Sequence, residues 1–274
     1  MRCRTGRPRC CCSPQYPAVP RSTPPSSFPL RSTKRLLPAL GLALLATLAQ
    51  AQGFNQCKAI FPTAQPPRVA VPAGATRELC YDAFATLYSG RSKTPLYTVE
   101  KLTREQLLDA KDEERTNRFF PDARLPSAER ATLEDYKGSG YDRGHMAAAA
   151  NMPTAQAMAQ SFSLANVVPQ ARINNQRTWA EIEKSTRRYV MRAAGPVYVF
   201  TGPVFPRQRQ PRTIGDGVWV PSYLYKLVYD ASTRRAWAYW VENSNEAKVA
   251  PPITYKELVD RTGIEFLPGV LPGP

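Results

Sequence analysis

The sequence predicts an α+β fold with a central antiparallel sheet flanked by helices. Two observations carry this prediction: several short runs rich in β-branched and aromatic residues, and one long segment with apolar residues at helical spacing. A chain of 274 residues that is 43% hydrophobic can bury a sizeable core, and it contains no internal repeat. We therefore expect one globular domain.

The predicted strands fall into two groups. Residues 78–88 and 95–102 are rich in Tyr, Phe, Leu and Thr and flank a turn-like segment at 89–92, which favours a hairpin. Three further runs, separated by Pro, Gly and charged residues, cover 197–205, 222–229 and 236–241. Residues 103–112 are expected to form a short helix or a loop. The Pro and Gly content of residues 121–140 predicts that this region is mostly surface loop.

The longest predicted helix covers residues 174–193. Trp179, Ile182, Tyr189 and Val190 recur there at helical spacing with Lys and Arg between them, which indicates about five turns. One face of this helix must pack on the sheet. A second, short helix is predicted over 253–262 and ends at Gly263.

The N-terminal part predicts export. A charged lead at 32–35, an apolar run of about 13 residues at 36–48 and the small-residue pattern Ala49-Gln50-Ala51 are typical of a secretory signal that is cut before Gln52. The apolar run is short for the roughly 20 residues that span a bilayer, so a retained anchor is the weaker alternative. We expect residues 1–51 to be an extension with a signal peptide, 52–75 an irregular lead-in and 76–274 the functional domain of a periplasmic or secreted protein.

The cysteines and the net charge add two expectations. Cys3, Cys10, Cys11 and Cys12 lack a spaced second pair and do not favour a metal site, whereas Cys57 and Cys80 are expected to form a disulfide worth about 3 kcal/mol. The chain carries +15, of which residues beyond 51 carry +7. Such a basic surface suits a nucleic acid or an anionic membrane, although plain solubility explains it equally well.

One histidine is present in the whole chain, and it ends the segment Asp-Arg-Gly-His at 142–145. Thirty residues later, the predicted helix carries Asn175 and Glu183 about 80° apart and about 12 Å along its axis, on one broad face. Each feature alone has an ordinary structural explanation, because a single His is more often structural and a polar helix face is more often solvated.

Together these motifs resemble the DNA/RNA non-specific endonuclease family, whose members carry a ββα-metal site. The resemblance rests on the Asp-Arg-Gly-His tetrad, the Gly-Ser-Gly that precedes it, the segment 163–166 and the pattern Asn-Gln-x-x-Trp-x-x-x-Glu from Asn175 to Glu183. It extends over roughly residues 78–266. Ala165 departs from the Ser that the family commonly has there, which affects only local hydrogen bonding near Asn166.

The resemblance implies a set of site residues. His145 is expected to be the general base, and Asn175 the one direct protein ligand of a divalent metal. Glu183 is expected to hold a water molecule that is bound to the metal. Arg143 is expected to donate hydrogen bonds to the phosphate or to the metal-bound water. An upstream arginine, Arg115 with Arg118 as the alternative, is expected to face the phosphate, and Asn166 to orient the site. Either upstream arginine could instead be a solvated loop charge.

The expected reaction is hydrolysis of phosphodiester bonds in DNA and RNA with little sequence preference. Magnesium suits a site poor in carboxylates, because it keeps several waters, and manganese or another divalent cation remains an alternative. A protein that binds nucleic acid without cutting it, for uptake or scaffolding, and a toxin held by an inhibitor protein are the other hypotheses. A homodimer is left open, and no stable membrane association is expected after signal cleavage.

Overall fold

A seven-stranded antiparallel sheet forms the centre of the protein. The computed structural model describes residues 53–70, 76–205 and 210–273. The strands are β1 (Arg68–Val69), β2 (Thr76–Cys80), β3 (Phe84–Ser89), β4 (Thr94–Leu102), β5 (Tyr141–His145), β6 (Val167–Ala171), β7 (Val197–Val204), β8 (Thr213–Ile214), β9 (Val218–Trp219), β10 (Tyr223–Asp230), β11 (Arg235–Glu242), β12 (Ile253–Thr254) and β13 (Ile264–Glu265). The large sheet has the order β12-β11-β10-β7-β4-β3-β2, and three two-stranded sheets pair β1 with β13, β5 with β6 and β8 with β9.

Five α-helices surround the sheet. They are α1 (Arg104–Asp109), α2 (Leu133–Tyr136), α3 (Ala155–Ser161), α4 (Ala180–Val190) and α5 (Tyr255–Thr262). Threonine side chains cap four of them: Thr103, Thr132, Thr154 and Thr254 each accept a hydrogen bond from the first turn. Gly263 adopts a left-handed conformation and ends α5, as the sequence predicts. None of the helices in the described ranges is long and apolar enough to cross a bilayer.

Both faces of the large sheet are covered. On one face, Phe200 and Leu227 pack with Leu258 of α5 and with Phe54 and Phe61 from the lead-in. On the other face, Val199 and Val228 pack with Val190 of α4. Successive residues of a strand point to opposite faces, so alternate positions of β7 and β10 serve two cores. The α+β prediction, with an antiparallel sheet between helices, is therefore confirmed.

Three local predictions need correction. The run 78–88 is two strands, because a turn at residues 81–83 breaks it and lets β2 fold back on β3. The region 121–140 contains the short helix α2, which a capping box between Thr132 and Asp135 stabilises. The long helix opens with a π-helical segment, Asn174–Trp179, before the regular turns of α4.

The lead-in is part of the core rather than a loose segment. Residues 54–64 form three 3₁₀ turns. Strand β1 of the lead-in pairs with β13, which is the last strand in the sequence. Cys57 and Cys80 form the expected disulfide, with 5.8 Å between their Cα atoms. The signal pattern and the four N-terminal cysteines lie outside the described residues.

Candidate active site

The tetrad and the long helix meet in one ββα unit. β5 carries the Asp-Arg-Gly-His segment, β6 pairs with it antiparallel so that His145 lies opposite Val167, and the π-helical segment follows two residues after β6. Gly144 is required at this crossing. A Cβ atom there would lie 2.0 Å from Oε1 and 2.7 Å from Cβ of Gln170. The glycine thus lets β5 and β6 approach closely and fixes the end of the strand at His145.

His145 is a buried imidazole held between two aromatic rings. Its ring centroid lies 5.2 Å from that of Phe119 and 4.9 Å from that of Phe162. Nε2 is enclosed without a hydrogen-bond partner among the described residues, which leaves Nδ1 as the nitrogen that water can reach. Burial, followed by the positive charges of Arg115 and Arg143, lowers the pKa of His145 to about 3. The ring is therefore neutral at physiological pH.

Two arginines flank this imidazole and stack on the same two rings. The guanidinium of Arg143 lies 4.3 Å from the centroid of Phe119, and that of Arg115 lies 5.0 Å from the centroid of Phe162. Nε of Arg115 also donates to Oδ1 of Asn117 at 2.7 Å. Both arginines are exposed. Of the two upstream candidates, Arg115 acts on the imidazole, whereas Arg118 makes no side-chain contact with the described site.

Asn175 lies in the π-helical segment at the edge of the same site. Its Nδ2 donates to Oδ2 of Asp142 at 3.0 Å, and Nε2 of Gln176 donates to the same oxygen at 2.9 Å. Asp142 therefore ties β5 of the tetrad to the start of the helix. Because the amide nitrogen of Asn175 is engaged, its Oδ1 stays available as an acceptor for a cation.

A cavity of about 540 Å³ joins these groups. Arg115, Asp142, Arg143 and Asn175 line it, together with Phe119 and Tyr141. The described residues contain no group of three or more His, Cys, Asp or Glu side chains that could hold a metal. A magnesium ion needs no such cage, because it retains waters and accepts one or two protein oxygens. The amide oxygen of Asn175 beside the Asp142 carboxylate fits that requirement.

Glu183 lies one turn into α4 among buried charges. Desolvation raises the pKa of its carboxyl, and the cations Lys226, Arg187 and Arg115 oppose that shift. Lys226 is fully buried on β10, where its Nζ donates to Oγ1 of Thr201 at 2.7 Å and lies 5.2 Å from the ring of Trp179. A buried ammonium beside Glu183 stabilises the carboxylate form of that residue.

A second buried carboxylate, Glu100, lies beneath the helix. Oε1 of Glu100 accepts from Nδ2 of Asn151 at 2.9 Å, and Oδ1 of Asn151 accepts from Nη1 of Arg187 at 3.3 Å. Oε2 of Glu100 has no partner among the described groups. Burial raises the pKa of Glu100 to about 7, although Lys226 opposes the shift. These contacts couple α4 to the sheet below it.

Asn166 lies behind the site, where it orders the loop that follows His145. Its Oδ1 accepts from N of Ala147, and its Nδ2 donates to the carbonyl oxygens of Ala147 and Ser161, each at 2.9 Å. The side chain is fully buried, and its amide is occupied by backbone groups. Asn166 thus orders the backbone that follows His145 and does not line the cavity, so its expected role in orienting the site stays a prediction.

Several residues that shape this site are not among the predicted site residues. Asp142 was present in the tetrad, and its position next to Arg143 was the available signal. Arg187 follows Glu183 by four residues, the spacing that places two side chains on neighbouring turns of one helix face. Phe119 and Phe162 gave no comparable signal, because their proximity to His145 depends on tertiary packing.

Comparison with known proteins agrees with this geometry. Residues 65–272 match the family model described as DNA/RNA non-specific endonuclease. The chain is 34% identical over 170 residues to "Nuclease 1, mitochondrial" of Schizosaccharomyces pombe, a match that covers 58% of this chain and 52% of that protein. It is 37% identical over 161 residues to "Endonuclease G, mitochondrial" of Homo sapiens, covering 54% of this chain and 52% of the relative. The match thus spans about half the length of these relatives.

A solved structure shares the fold. The EndoG chain in a structure titled "Crystal structure of the EndoG/EndoGI complex: Mechanism of EndoG inhibition" superposes with a TM-score of 0.62 at 26% identity. The match covers 68% of this chain and 84% of the other. The ββα arrangement expected from the resemblance is therefore confirmed.

These relatives also correct one expectation. The prediction of a periplasmic or secreted protein is wrong, because several curated relatives that match the chain are named as mitochondrial nucleases, including "Nuclease EXOG, mitochondrial" of Mus musculus at 36% identity. The family assignment itself is independent of the N-terminal pattern, since the matched region begins at residue 65. On the tetrad, the ββα unit and the family match, the chain belongs to the DNA/RNA non-specific endonuclease family.

Proposed function

We propose that this protein is a divalent-metal-dependent endonuclease that hydrolyses phosphodiester bonds in DNA and RNA. The observation that carries the proposal is the buried, neutral His145 between Arg115 and Arg143, in a site that also contains Asn175. Phosphodiester hydrolysis needs a base for water and positive charge for the phosphate oxygens. The two arginines and Asn175 line one cavity, and the imidazole of His145 packs against Phe119, which lines the same cavity.

His145 takes the proton in this mechanism. With Nε2 enclosed, we assign the hydrogen to Nε2 and the free electron pair to Nδ1, which accepts a proton from the attacking water. An imidazole with a pKa near 3 is a weak base. Burial is the largest cause of this low pKa, and the charges of Arg115 and Arg143 lower it further. A phosphate bound by the two arginines would offset their part of the shift and so raise the basicity of His145.

The two arginines bind the phosphate and stabilise charge that develops on it. Guanidinium groups donate charge-assisted hydrogen bonds to phosphate oxygens, and stacking on Phe119 and Phe162 holds both groups near the imidazole. The aromatic pair thus orders the base and the cations together.

A divalent cation would complete the site at Asn175. Members of the family depend in general on such a metal. When bound, the cation supplies positive charge for the non-bridging and leaving oxygens. We propose magnesium, with manganese as the alternative, because the amide oxygen of Asn175 is a hard ligand and the cavity lacks a carboxylate cage. Glu183 is proposed to hold a water molecule beside Asn175.

Sequence preference should be weak. The groups described so far are cations and an amide, which recognise phosphate and metal rather than base edges. We also propose an inhibitor protein as a partner, because EndoG, which shares this fold, is solved in an inhibited complex.

The decisive experiment measures cleavage of plasmid DNA and single-stranded RNA by the full chain, with magnesium or with a chelator. The wild type is compared with His145→Ala. We expect the chelator to abolish cleavage and the variant to lose about 10²- to 10⁴-fold in rate, the usual contribution of a general base. Binding of both polymers by the wild type without cleavage would replace this proposal with the scaffold hypothesis.

Two arginine variants form a matched pair for the same assay. Arg115→Ala removes a guanidinium next to His145, whereas Arg118→Ala removes an exposed guanidinium three residues away that does not contact the imidazole. We expect a large loss of cleavage only for Arg115→Ala. Equal losses in both variants would indicate a general effect of basic charge instead of a specific phosphate contact.

A further inference from the structure

A second, larger cavity adjoins the catalytic one. It has a volume of about 920 Å³ and lies at the end of β10 and β11, and Tyr141 lines both cavities. Tyr141 is the first residue of β5, four positions before His145. We refer to this second cavity as the aromatic cleft. Tyr141 thus forms a wall that this cleft has in common with the cavity of the candidate active site.

The aromatic cleft contains an ordered stack of planar groups. The rings of Tyr223 and Trp240 have centroids 5.4 Å apart and are inclined by 30°, and the guanidinium of Arg261 lies 4.8 Å from the centroid of Trp240. Tyr223 is the exposed end of this stack, with 37% of its surface accessible. A π-face that is already held in place and open to solvent is the kind of platform on which an unpaired base stacks.

Positive charge lies between the stack and the catalytic cavity. Arg212 is exposed and uses Nη1 to donate to the hydroxyl of Tyr141 at 3.0 Å, on the wall common to both cavities. Its other donors point to no acceptor in the described contacts. Among the described residues that line the cleft, Glu242 is the one acidic residue, and Arg261 forms an ion pair with Glu257. A polyanion therefore finds its most favourable path past Arg212.

We propose that the aromatic cleft binds an unpaired segment of the nucleic-acid strand that is cut at His145, with a base on Tyr223 and a phosphate at Arg212. This inference rests on the proposed function and extends it to the form of the substrate. A duplex base already stacks on its neighbours, whereas an unpaired base gains a contact on Tyr223. Single strands and frayed ends should consequently bind more tightly than intact duplex.

The test measures binding rather than cleavage. Fluorescence anisotropy of a labelled single-stranded DNA 12-mer and of the matching duplex, in chelator, gives two dissociation constants for the full chain and each variant. Tyr223→Ala should weaken single-strand binding about 5- to 100-fold, as loss of one stacked base does, and duplex binding much less. Tyr223→Phe keeps the ring and should restore the single-strand affinity. Leu271→Ala, an exposed apolar residue outside both cavities, is the surface control.

Each outcome bears on one proposal. Tyr223→Ala could leave the affinity for single strands unchanged, or could lower the affinities for single strand and duplex equally. Either result would overturn the proposal that the aromatic cleft binds an unpaired strand, and would leave the proposed nuclease function intact. If the wild type binds single strands through Tyr223 but cuts neither DNA nor RNA with magnesium, strand binding by the aromatic cleft is supported and the proposed nuclease function fails. Arg212→Ala should lower the salt dependence of single-strand binding, because one phosphate contact is lost.

Discussion

Individual residues in this protein titrate far from their usual pH because the sheet and α4 bury them. His145 and Glu100 shift in opposite senses, since desolvation disfavours the charged form of each: the pKa of the imidazole falls to about 3 and that of the carboxyl rises to about 7. The pKa of Lys226 is lowered by the same burial, against the attraction of Glu183 and Glu100. Stability and pH are therefore linked through a few side chains.

Replacing Glu100 should make the protein more stable at high pH. An unfolded Glu titrates near 4.5 and the folded Glu100 near 7, so the folded state keeps a proton that the unfolded state releases between those values. The stability from this group is fully present below pH 4.5 and is lost as pH rises through 7. We expect Glu100→Gln to gain up to about 3 kcal/mol relative to wild type between pH 4.5 and 8.

Urea unfolding at several pH values measures this gain. Glu134→Gln is the matched control, because the side chain of Glu134 is 79% exposed. A constant difference between Glu100→Gln and wild type across the pH range would contradict the raised pKa that burial gives Glu100.

At the scale of elements, sequence periodicity predicted the strands and the long helix but not their irregularities. β7, β10, β11 and α5 lie where the apolar patterns indicate. The π-helical turn at Asn174–Trp179 was not predictable, because the positions of side chains around the helix were calculated for a regular α-helix with 100° per residue. That wider turn sets the position of Asn175 relative to Glu183.

The break between β2 and β3 was missed for a different reason. Tyr81 and Ala83 are apolar and continue the strand pattern, so no Gly or Pro marks the turn. Tyr81 instead turns inward, where its hydroxyl donates to Oδ2 of Asp122 at 2.6 Å. A buried tertiary contact of this kind has no local signature. That the tetrad and the long helix lie together was easier to predict, because both motifs are marked in the sequence.

The β5-β6 pair gives a sharp prediction about Gly144. In Gly144→Ala, the added methyl group must push Gln170 or β5 aside, which moves His145 away from Phe119, Phe162 and the arginines. We expect cleavage to fall about 10²-fold, since a shift near 1 Å of a catalytic group has that effect, with a lower melting temperature.

Gly195→Ala is the matched control for this variant. A Cβ atom there meets only the side chain of Ser232, whose flexible Oγ can rotate away. Wild-type cleavage by Gly144→Ala would show that β5 and β6 can separate without moving the base, which contradicts the close-packing argument.

At the scale of the whole molecule, the disulfide fastens the lead-in to the sheet. Cys57 and Cys80 are 23 residues apart, and their bond joins the 3₁₀ turns to the end of β2. Replacing both with Ser should cost about 3 kcal/mol, largely through the entropy of the unfolded chain. For a domain of this size, the melting temperature should fall by about 6–12 °C.

Differential scanning calorimetry of Cys57→Ser/Cys80→Ser, with and without reductant, tests this expectation. The wild type in reductant should approach the variant, whereas the variant should not respond. Equal melting temperatures of oxidised and reduced wild type would mean that packing of Phe54 and Phe61 alone holds the lead-in. Cleavage at 25 °C is expected to persist, because neither cysteine lines the cavity of the candidate active site.

The whole-molecule scale is also where sequence reasoning failed. A short charged and apolar pattern near the N-terminus predicted export, and the mitochondrial relatives overturned that prediction. Such a pattern is read by cellular machinery and leaves no trace in the packing of the domain, so the motifs could not correct it. The fold and the family, in contrast, were predictable because their motifs are distributed over β5, β6 and the following helix.

The single histidine also makes the chain its own spectroscopic probe. Isotope labelling of histidine alone would produce one imidazole signal in a heteronuclear magnetic resonance spectrum, with no assignment problem. Ring currents from Phe119 and Phe162 would displace that signal from the position of free imidazole. Binding of a nucleotide, a metal or an inhibitor could then be followed at the reacting group itself, in a protein that needs no engineered label.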